Sequence, residues 1–208
     1  MREFSDSIQS TIVFEESEQL VLRLKEGEEA AFSEVFHLYK DMVYTLCCKL
    51  LSDKGEALDV TQEVFMILLR KIAGFRGECS LKTWLYRVTV NQAANRNRWW
   101  RRRGRSQTLS LGIPLEGTNG TIVELPDASR TPEQLLCSSE LQAALQQGLR
   151  SLPFDQRVAL ALREVEGLTY EEIAEVTGTH IGTVKSRIAR GRERLRVFLT
   201  KSAKGIVP

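Results

Sequence analysis

Residues 168–188 read LTYEEIAEVTGTHIGTVKSRI, and this stretch decides the fold. Thr169 and Glu172 have the spacing of a capping box, in which each side chain binds the other residue's backbone N–H group at the start of a helix. Gly178 follows where a tight turn requires a positive φ. Thr179 is a suitable N-cap for a second helix. Two short helices joined by such a turn form a helix-turn-helix.

The second of these helices is predicted to have one apolar and one basic side. At about 100° per residue, four apolar side chains share a face: Ile181, Val184, Ile188 and Leu195. Six polar or basic side chains lie opposite or beside it: Thr183, Lys185, Ser186, Arg187, Arg190 and Arg194. A helix that enters the major groove of DNA needs this arrangement, because its basic side contacts bases and phosphates while its apolar side anchors it. An ordinary antiparallel helix pair is the alternative, but its outer face would not be so uniformly basic.

Charge is distributed in blocks along the 208 residues, although the formal net charge is only +2. Residues 1–74 carry 8 basic and 14 acidic side chains, whereas residues 75–105 carry 9 and 1. Residues 106–182 carry 4 and 11, and residues 183–208 carry 8 and 1. Two short basic blocks predict two anion-binding surfaces on one chain. We expect the acidic stretches to face a different partner or to keep the free protein off DNA.

The first part of the chain, residues 19–103, has helical apolar periodicity nearly throughout. Apolar stripes predict one helix over Glu29–Leu51 and a second that begins after a break at residues 52–55. Gly74–Gly77 ends the second helix, and Ser80 is a suitable N-cap for a third.

A linker and a second helical domain follow. Residues 104–131 are rich in Gly, Ser, Thr and Pro, which predicts a flexible linker with a root-mean-square span of about 30 Å. Thr131, followed by Pro132 and Gln134, predicts the first helix of a domain over residues 132–200. Gly148 and Pro153 are expected to interrupt its helices. We therefore predict an all-α protein of two small helical domains joined by a flexible linker.

The third helix of the first domain is predicted to carry a polar and basic face. Five of its side chains recur at spacings of four, four, three and four: Arg87, Asn91, Asn95, Arg98 and Arg102. Arginine and asparagine make bidentate contacts to bases and phosphates, and tryptophan offers a stacking surface for unpaired bases. For Trp84, packing in the core is the favoured alternative, and either Trp99 or Trp100 is expected to pack inward.

Three segments match known motifs in a fixed order. Residues 59–65 read DVTQEVF, residues 75–91 begin FRG and continue through SLKTWLYRV to Asn91, and residues 182–192 read GTVKSRIARGR. Over about residues 20–198 the chain resembles a bacterial sigma factor of the extracytoplasmic-function (ECF) type, in the sigma-70 family. The three segments resemble, in order, the core-polymerase-binding motif, the promoter-melting and minus-ten segment, and the minus-35 helix. Leu58 and His180 depart from the family pattern, which often has an acidic residue and a proline there.

The resemblance implies a transcription initiation factor that binds core RNA polymerase, reads the minus-ten and minus-35 elements of promoter DNA and promotes melting. It assigns polymerase binding to Asp59, Gln62, Glu63 and Phe65. It assigns minus-ten DNA to Phe75, Arg76, Lys82, Trp84, Arg87, Asn91, Asn95 and Arg98. It assigns minus-35 DNA to Thr183, Lys185, Ser186, Arg187, Arg190 and Arg194. An anti-sigma factor is a further partner that the resemblance allows, whereas it implies no catalysis, cofactor or metal, because the polymerase does the chemistry.

Two other classes of protein remain as alternatives. A dimeric helix-turn-helix regulator would need a ligand-binding or phospho-acceptor domain, for which residues 20–103 show no βα alternation. A nucleic-acid enzyme could hold a divalent ion with Glu56, Asp59 and Glu63. Those carboxylates have no adjacent histidine or phosphate loop, so a protein-binding face is favoured.

Cysteine usage and hydropathy point to the cytoplasm. The cysteines form no CxxC pair and lie apart from both histidines, which predicts reduced thiols rather than zinc or a disulfide: Cys47, Cys48, Cys79 and Cys137. The longest apolar run, Val64–Leu69, is far shorter than the roughly 18 residues of a membrane span. The acidic N-terminus lacks the apolar stretch of a signal peptide. We expect a cytoplasmic protein without membrane insertion.

Overall fold

The computed structural model describes residues 18–103 and 132–203, with side chains from residue 141 onward in the second range. Within these ranges every regular element is helical, which confirms the predicted all-α class. None of these helices is long and apolar enough to cross a membrane. The predicted linker, residues 104–131, lies outside the described residues, as does Thr131.

Four helices make up the first unit: α1 (18–25), α2 (Glu29–Leu50), α3 (Lys54–Lys71) and α4 (Leu81–Arg102). Each of the three long helices buries a stripe of apolar side chains, as the periodicity predicts. A 3-10 turn at Ile72–Gly74 ends α3.

Side-chain caps fix where α3 and α4 begin. Asp53 Oδ1 accepts the Glu56 N–H at 2.9 Å, and Ser80 Oγ accepts the Thr83 N–H at 3.0 Å. Each bond satisfies a backbone donor that the first turn of a helix leaves free. The prediction for Ser80 is confirmed. Between the two helices Gly77 has a φ of +73°, which favours glycine.

Four further helices make up the second unit: α5 (Pro132–Ser151), α6 (Phe154–Glu164), α7 (Tyr170–Thr177) and α8 (Ile181–Ala203). The expected start of α5 at Pro132 and the break at Pro153 are confirmed. The expectation for Gly148 is wrong, because α5 continues through it. A Cβ at Gly148 would lie 2.6 Å from Leu195 Cδ1, so this glycine lets α5 and α8 pack closely.

The helix-turn-helix consists of α7, a turn and α8. The capping box is confirmed, because the Thr169 N–H donates to Glu172 Oε2 at 2.7 Å and the Glu172 N–H donates to Thr169 Oγ1 at 3.2 Å. Gly178 has a φ of +61° and ends α7. The second helix begins one residue later than an N-cap at Thr179 predicts, at Ile181. His180 takes the role expected of Thr179, since its Nδ1 accepts the Gly182 N–H at 3.1 Å.

The two units pack against each other, with α6 against α2 and α7 against α4. The buried apolar side chains of both units form one continuous cluster. Charged contacts also cross the boundary. The sequence predicts the two units and their order along the chain, but not that they share a core.

Candidate nucleic-acid and polymerase interfaces

A cavity of about 350 Å³ lies at the start of α4. Its lining consists of Gly74, Phe75, Arg76, Glu78, Cys79, Trp84 and Arg87. The rings of Phe75 and Trp84 meet edge to face with centroids 6.2 Å apart, which gives the cavity an aromatic wall. The structure thus brings together four residues predicted for minus-ten DNA.

The other four residues predicted for minus-ten DNA are exposed along α4, outside the lining of this cavity: Lys82, Asn91, Asn95 and Arg98. The last two are joined by a hydrogen bond in which Arg98 Nη2 donates to Asn95 Oδ1. Trp84 is half-buried and packs against the core, in line with the expectation that it is mainly structural.

The tryptophans at the end of α4 contact each other, and one of them contacts a cation. Trp99 and Trp100 meet edge to face at 4.7 Å, and the Arg103 guanidinium lies 3.9 Å from the Trp99 ring centroid. Trp99 is the more exposed of the two, which agrees with the prediction that one of the pair packs inward.

Arg87 already has a partner in the second unit. Its Nη2 lies 3.0 Å from Glu175 Oε1, and its Nε donates to the Glu175 carbonyl at 3.1 Å. That carbonyl is one of the last four of α7, which have no partner within the helix. One residue before Arg87, the Tyr86 hydroxyl donates to Glu166 Oε2 at 2.7 Å.

On α3 three residues predicted to bind polymerase share an exposed face: Asp59, Gln62 and Glu63. The ring of Phe65 is buried and meets Phe36 edge to face at 4.9 Å, so it supports α3 from beneath. Phe65 therefore does not share the exposed face of the other three residues predicted to bind polymerase.

Arg96 ties this acidic face to α4. Its Nη2 lies 2.8 Å from Glu63 Oε1, and its Nε lies 3.2 Å from Glu56 Oε2. The Trp100 Nε1–H also donates to Glu56 Oε2, at 3.1 Å. Sequence reasoning missed Arg96. The sequence does contain a pattern that points to it. Arg96 is four residues from Trp100, which puts both side chains on the side of α4 that faces α3.

On α8 the predicted two-sided arrangement is confirmed, with Val184 and Ile188 buried and the polar side outward. Four residues predicted for minus-35 DNA are exposed: Thr183, Lys185, Arg190 and Arg194. The remaining two have partners within the second unit. Ser186 Oγ donates to the Thr183 carbonyl at 2.9 Å, and Arg187 Nη2 lies 2.8 Å from Asp155 Oδ2.

The carboxylates considered as ligands for a divalent ion do not converge on a common site. Glu56 and Glu63 face the Arg96 guanidinium. Across residues 18–103 and the described side chains of the second unit, no cluster of His, Cys, Asp and Glu could hold a metal.

Three cysteines are free thiols: Cys47, Cys48 and Cys79. Burial raises the pKa of Cys47 to about 12 and also raises the pKa of Cys79. A raised pKa keeps a thiol protonated and unreactive at neutral pH. Cys137 lies outside the described side chains.

Two family models match the chain at the positions of these sites. The model for Sigma-70 region 2 matches residues 35–106, and the model for Sigma-70, region 4 matches residues 142–195. The first range contains α3 and α4, and the second contains the helix-turn-helix.

Curated sigma factors match this chain in sequence over most of their length. The RNA polymerase sigma-H factor of Pseudomonas aeruginosa is 37% identical over 183 residues, which cover 87% of this chain and 92% of that protein. The ECF RNA polymerase sigma-E factor of Haemophilus influenzae is 38% identical over 176 residues, covering 85% and 91%. The Escherichia coli sigma-E factor is 37% identical over 180 residues, covering 85% and 90%.

Two solved structures share the fold. The sigma factor RpoE of Bartonella quintana, in complex with the anti-sigma factor NepR, matches with a TM-score of 0.59 and 24% identity, covering 81% of this chain and 96% of that one. CnrH in complex with the cytosolic domain of CnrY matches with a TM-score of 0.61 and 17% identity, covering 88% and 97%.

The chain belongs to the sigma-70 family of RNA polymerase sigma factors, in its ECF branch. It is a transcription initiation factor that recognises promoters and acts with RNA polymerase.

Proposed function

We propose that this sigma factor reads the minus-ten element with α4 and the loop before it, and the minus-35 element with α8. On this assignment residues 19–103 are region 2 and residues 132–200 are region 4. The observation that carries the proposal is the presence of two exposed basic and polar faces on separate helical units, Arg87–Arg98 on α4 and Thr183–Arg194 on α8. Such faces supply the donors that DNA recognition requires.

Promoter melting is assigned to the cavity at the start of α4. Its volume of about 350 Å³ lies within the range of pockets for small ligands, and an aromatic wall with a nearby arginine suits an unpaired base. Unpairing a base costs a few kcal/mol, which its capture offsets. The exposed side chains of Asn91 and Asn95 then lie where they can contact the separated strand.

Permanganate footprinting tests the melting role. Loss of the amide in Asn91→Ala should impair open complexes on double-stranded promoters more than closed ones. A template melted in advance removes the unpairing cost and should restore much of the activity. No rescue by the melted template would refute this role of α4. Gln142→Ala, an exposed amide on α5, is the matched control.

Polymerase binding is assigned to the exposed face of α3. Asp59, Gln62 and Glu63 are spaced i, i+3 and i+4 and point the same way. We assign them to a basic helical element of the core enzyme, while buried Phe65 fixes the helix below.

The protein itself is assigned no catalysis, since the polymerase forms the phosphodiester bonds. It is assigned to the cytoplasm, where core polymerase works. An anti-sigma factor is proposed as a further partner, because RpoE and CnrH, which share the fold, were solved with partner chains and the first of these is an anti-sigma factor.

Run-off transcription with core polymerase on a library of promoters tests the function as a whole. The chain should direct initiation from a subset of promoters that share two elements separated by a fixed spacing. Size measurement of the free chain and a nuclease assay address the alternatives. A dimer that binds a single palindrome, or metal-dependent DNA cleavage by the pure chain, would contradict the proposal.

A further inference from the structure

A cation lies over an aromatic ring at the end of α4. Arg103, the residue that caps this helix, places its guanidinium 3.9 Å from the centroid of the Trp99 ring. Both side chains are exposed to solvent. A planar guanidinium can stack on a ring through its face and still present the N–H groups along its edge to an acceptor. The contact therefore holds Arg103 without using up its hydrogen-bond donors.

The ring beneath Arg103 is fixed through α3. Trp99 meets Trp100 edge to face at 4.7 Å. Trp100 donates its Nε1–H to Glu56 Oε2 at 3.1 Å, and Arg96 Nε lies 3.2 Å from the same oxygen. The side chain of Glu56 is only 17% exposed, so this group belongs to the packing of α4 on α3. Trp99 is thus supported from below while its outer side faces solvent.

The Trp99–Arg103 pair lies beside the polar face of α4, at the opposite end from the cavity. At about 100° per residue, Trp99 is only about 40° around the helix from Asn95. At about 1.5 Å per residue, Arg103 is about 24 Å beyond Arg87, a distance that about seven base pairs of DNA span. The chain continues from this end of α4 towards the unit proposed for the minus-35 element. The DNA duplex upstream of the minus-ten element would therefore pass this end.

We propose that Arg103, positioned by Trp99, binds a backbone phosphate of the double-stranded DNA upstream of the minus-ten element. This inference rests on the proposed role of α4 at the minus-ten element. Residues 96–103 contain five arginines and no acidic residue, so the local field favours an anion. The paired N–H groups of a guanidinium match the oxygens of a phosphate.

Trp99 acts here as a positioning residue. Its ring restricts the conformations of Arg103, so that fewer are lost when the phosphate binds. The sequence suggested tryptophan as a stacking surface for an unpaired base, but on Trp99 the guanidinium of Arg103 already lies over the ring.

The test uses the holoenzyme and two labelled promoter fragments whose minus-ten region is melted in advance. The duplex of the long fragment extends about ten base pairs upstream of the minus-ten element, beyond the span from Arg87 to Arg103. The duplex of the short fragment ends at the element. Arg103→Gln removes the proposed contact. The control, Arg101→Gln, removes an equal charge from the same turn, where the residue four positions earlier is Asn97 rather than an aromatic one.

Arg103→Gln should weaken binding to the long fragment about threefold to tenfold and lower its salt slope by about one unit, without affecting the short fragment. Trp99→Leu should cause part of this loss, whereas Trp99→Phe, which keeps a ring, should retain most of the binding. In the Trp99→Leu background the effect of Arg103→Gln should shrink, while that of Arg101→Gln should not. A change in stability alone would not produce this pairwise coupling.

Equal effects of Arg103→Gln on the two fragments, or no effect on either, would overturn the phosphate contact. An undiminished effect in the Trp99→Leu background would overturn the positioning by Trp99. Weaker pull-down of core enzyme by Arg103→Gln would assign this residue to the polymerase instead of DNA. Asn91→Ala tests the underlying role separately. If it weakens binding to neither fragment, the proposed minus-ten role of α4 is wrong.

Discussion

Arg157 shows how a single buried cation can join two helical units. It is 7% exposed, and all its hydrogen bonds go to backbone carbonyls. Nη1 binds the Leu50 carbonyl at 2.8 Å, while Nη2 binds those of Arg150 and Leu152 at 2.8 and 3.2 Å. Burial lowers the pKa of Arg157, although an arginine remains charged. The guanidinium thus connects the ends of α2 and α5.

Replacing this residue should destabilise the protein. Arg157→Met keeps a side chain of similar length but leaves three carbonyls without their donor. Relief of the cation's desolvation offsets part of the loss, so we expect a net cost of about 2–4 kcal/mol in the free energy of unfolding. Urea unfolding followed by circular dichroism measures this change in the free energy of unfolding.

The control is Arg150→Met, at an exposed position near the end of α5. Its free energy of unfolding should stay within about 0.5 kcal/mol of that of the parent. Equal stability of the two variants would show that the cost of desolvating the Arg157 guanidinium cancels the free energy of its three hydrogen bonds.

Sequence reasoning did not find Arg157, although a signal exists. Arg157 stands three and four residues before Leu160 and Ala161, both buried, so it falls on the apolar side of α6. A cation there requires partners, but periodicity cannot say that they are helix ends distant in the chain. By contrast, Thr169, Glu172 and Gly178 were predicted correctly, because a capping box and a positive-φ turn depend only on neighbouring residues.

The structure shows that Asp59 is the better residue to change in a test of polymerase binding. Glu63 is paired with Arg96, so changing it would also disturb the packing of α4 on α3. Asp59 lies on the same exposed face. Asp59→Lys should weaken core binding by about tenfold or more, since it places like charges in contact. Pull-down of core enzyme over a concentration series measures the change. Asp41→Lys, an exposed reversal on α2, is the control. Equal loss in both variants would indicate a general charge effect rather than a contact at Asp59.

At the scale of elements, α8 was predicted well in its faces and less well in its start. Both outcomes have a local cause. The faces follow from helical spacing, which burial of Val184 and Ile188 confirms. The start moved because the His180 imidazole accepts the Gly182 N–H, a role that cap statistics give to Thr179. Gly148 was misjudged because a glycine that permits close packing of α5 on α8 looks, in sequence, like one that ends a helix.

The N-terminal part of α8, as far as Arg190, should contact bases, and the later residues should contact the DNA backbone. Arg190→Ala should therefore cost about 1–3 kcal/mol on the preferred minus-35 sequence and relax the preference at one position. Arg194→Ala should weaken binding to all sequences alike and lower the salt slope by about one unit. Holoenzyme binding to minus-35 variants at several salt concentrations separates the two. If Arg194→Ala reorders the sequences and Arg190→Ala does not, the assignment of the helix in the groove is inverted.

Arg187 is a useful comparison on the same helix. Its ion pair with Asp155 must be given up before it can bind a phosphate. Losing the ion pair with Asp155 offsets part of the free energy gained by binding a phosphate. Arg187 should therefore contribute less to DNA binding than the free side chain of Arg194. The sequence could not show this, since Asp155 lies on α6, far away along the chain.

At the scale of the whole molecule, the alternating acidic and basic stretches of the sequence contact each other in the fold. The sequence shows an acidic stretch between two basic ones and predicts that it faces another partner or keeps the free protein off DNA. In the structure part of that stretch, at Glu166 and Glu175, faces α4 of the same chain. The sequence could not predict which of the two basic faces it would meet, because the pairing depends on how the two units dock.

The segment over residues 104–131 should set how strongly the two packed units are held together. Because its composition predicts a flexible segment, we expect the two units to meet as the ends of a tethered loop. Doubling its length with Gly and Ser should then weaken their packing by only about 0.6 kcal/mol. Urea unfolding followed by circular dichroism measures this loss in the free energy of unfolding.

A Gly and Ser segment of unchanged length is the control and should leave the free energy of unfolding as it was. A large loss from this control would mean that side chains of residues 104–131 themselves help to hold the units together, and that the segment is more than a tether. A doubled segment with no loss would mean that the packing of the two units does not depend on the tether. That packing would then be set by the α2–α6 and α4–α7 contacts alone, with Arg157 and Tyr86 as its buried anchors.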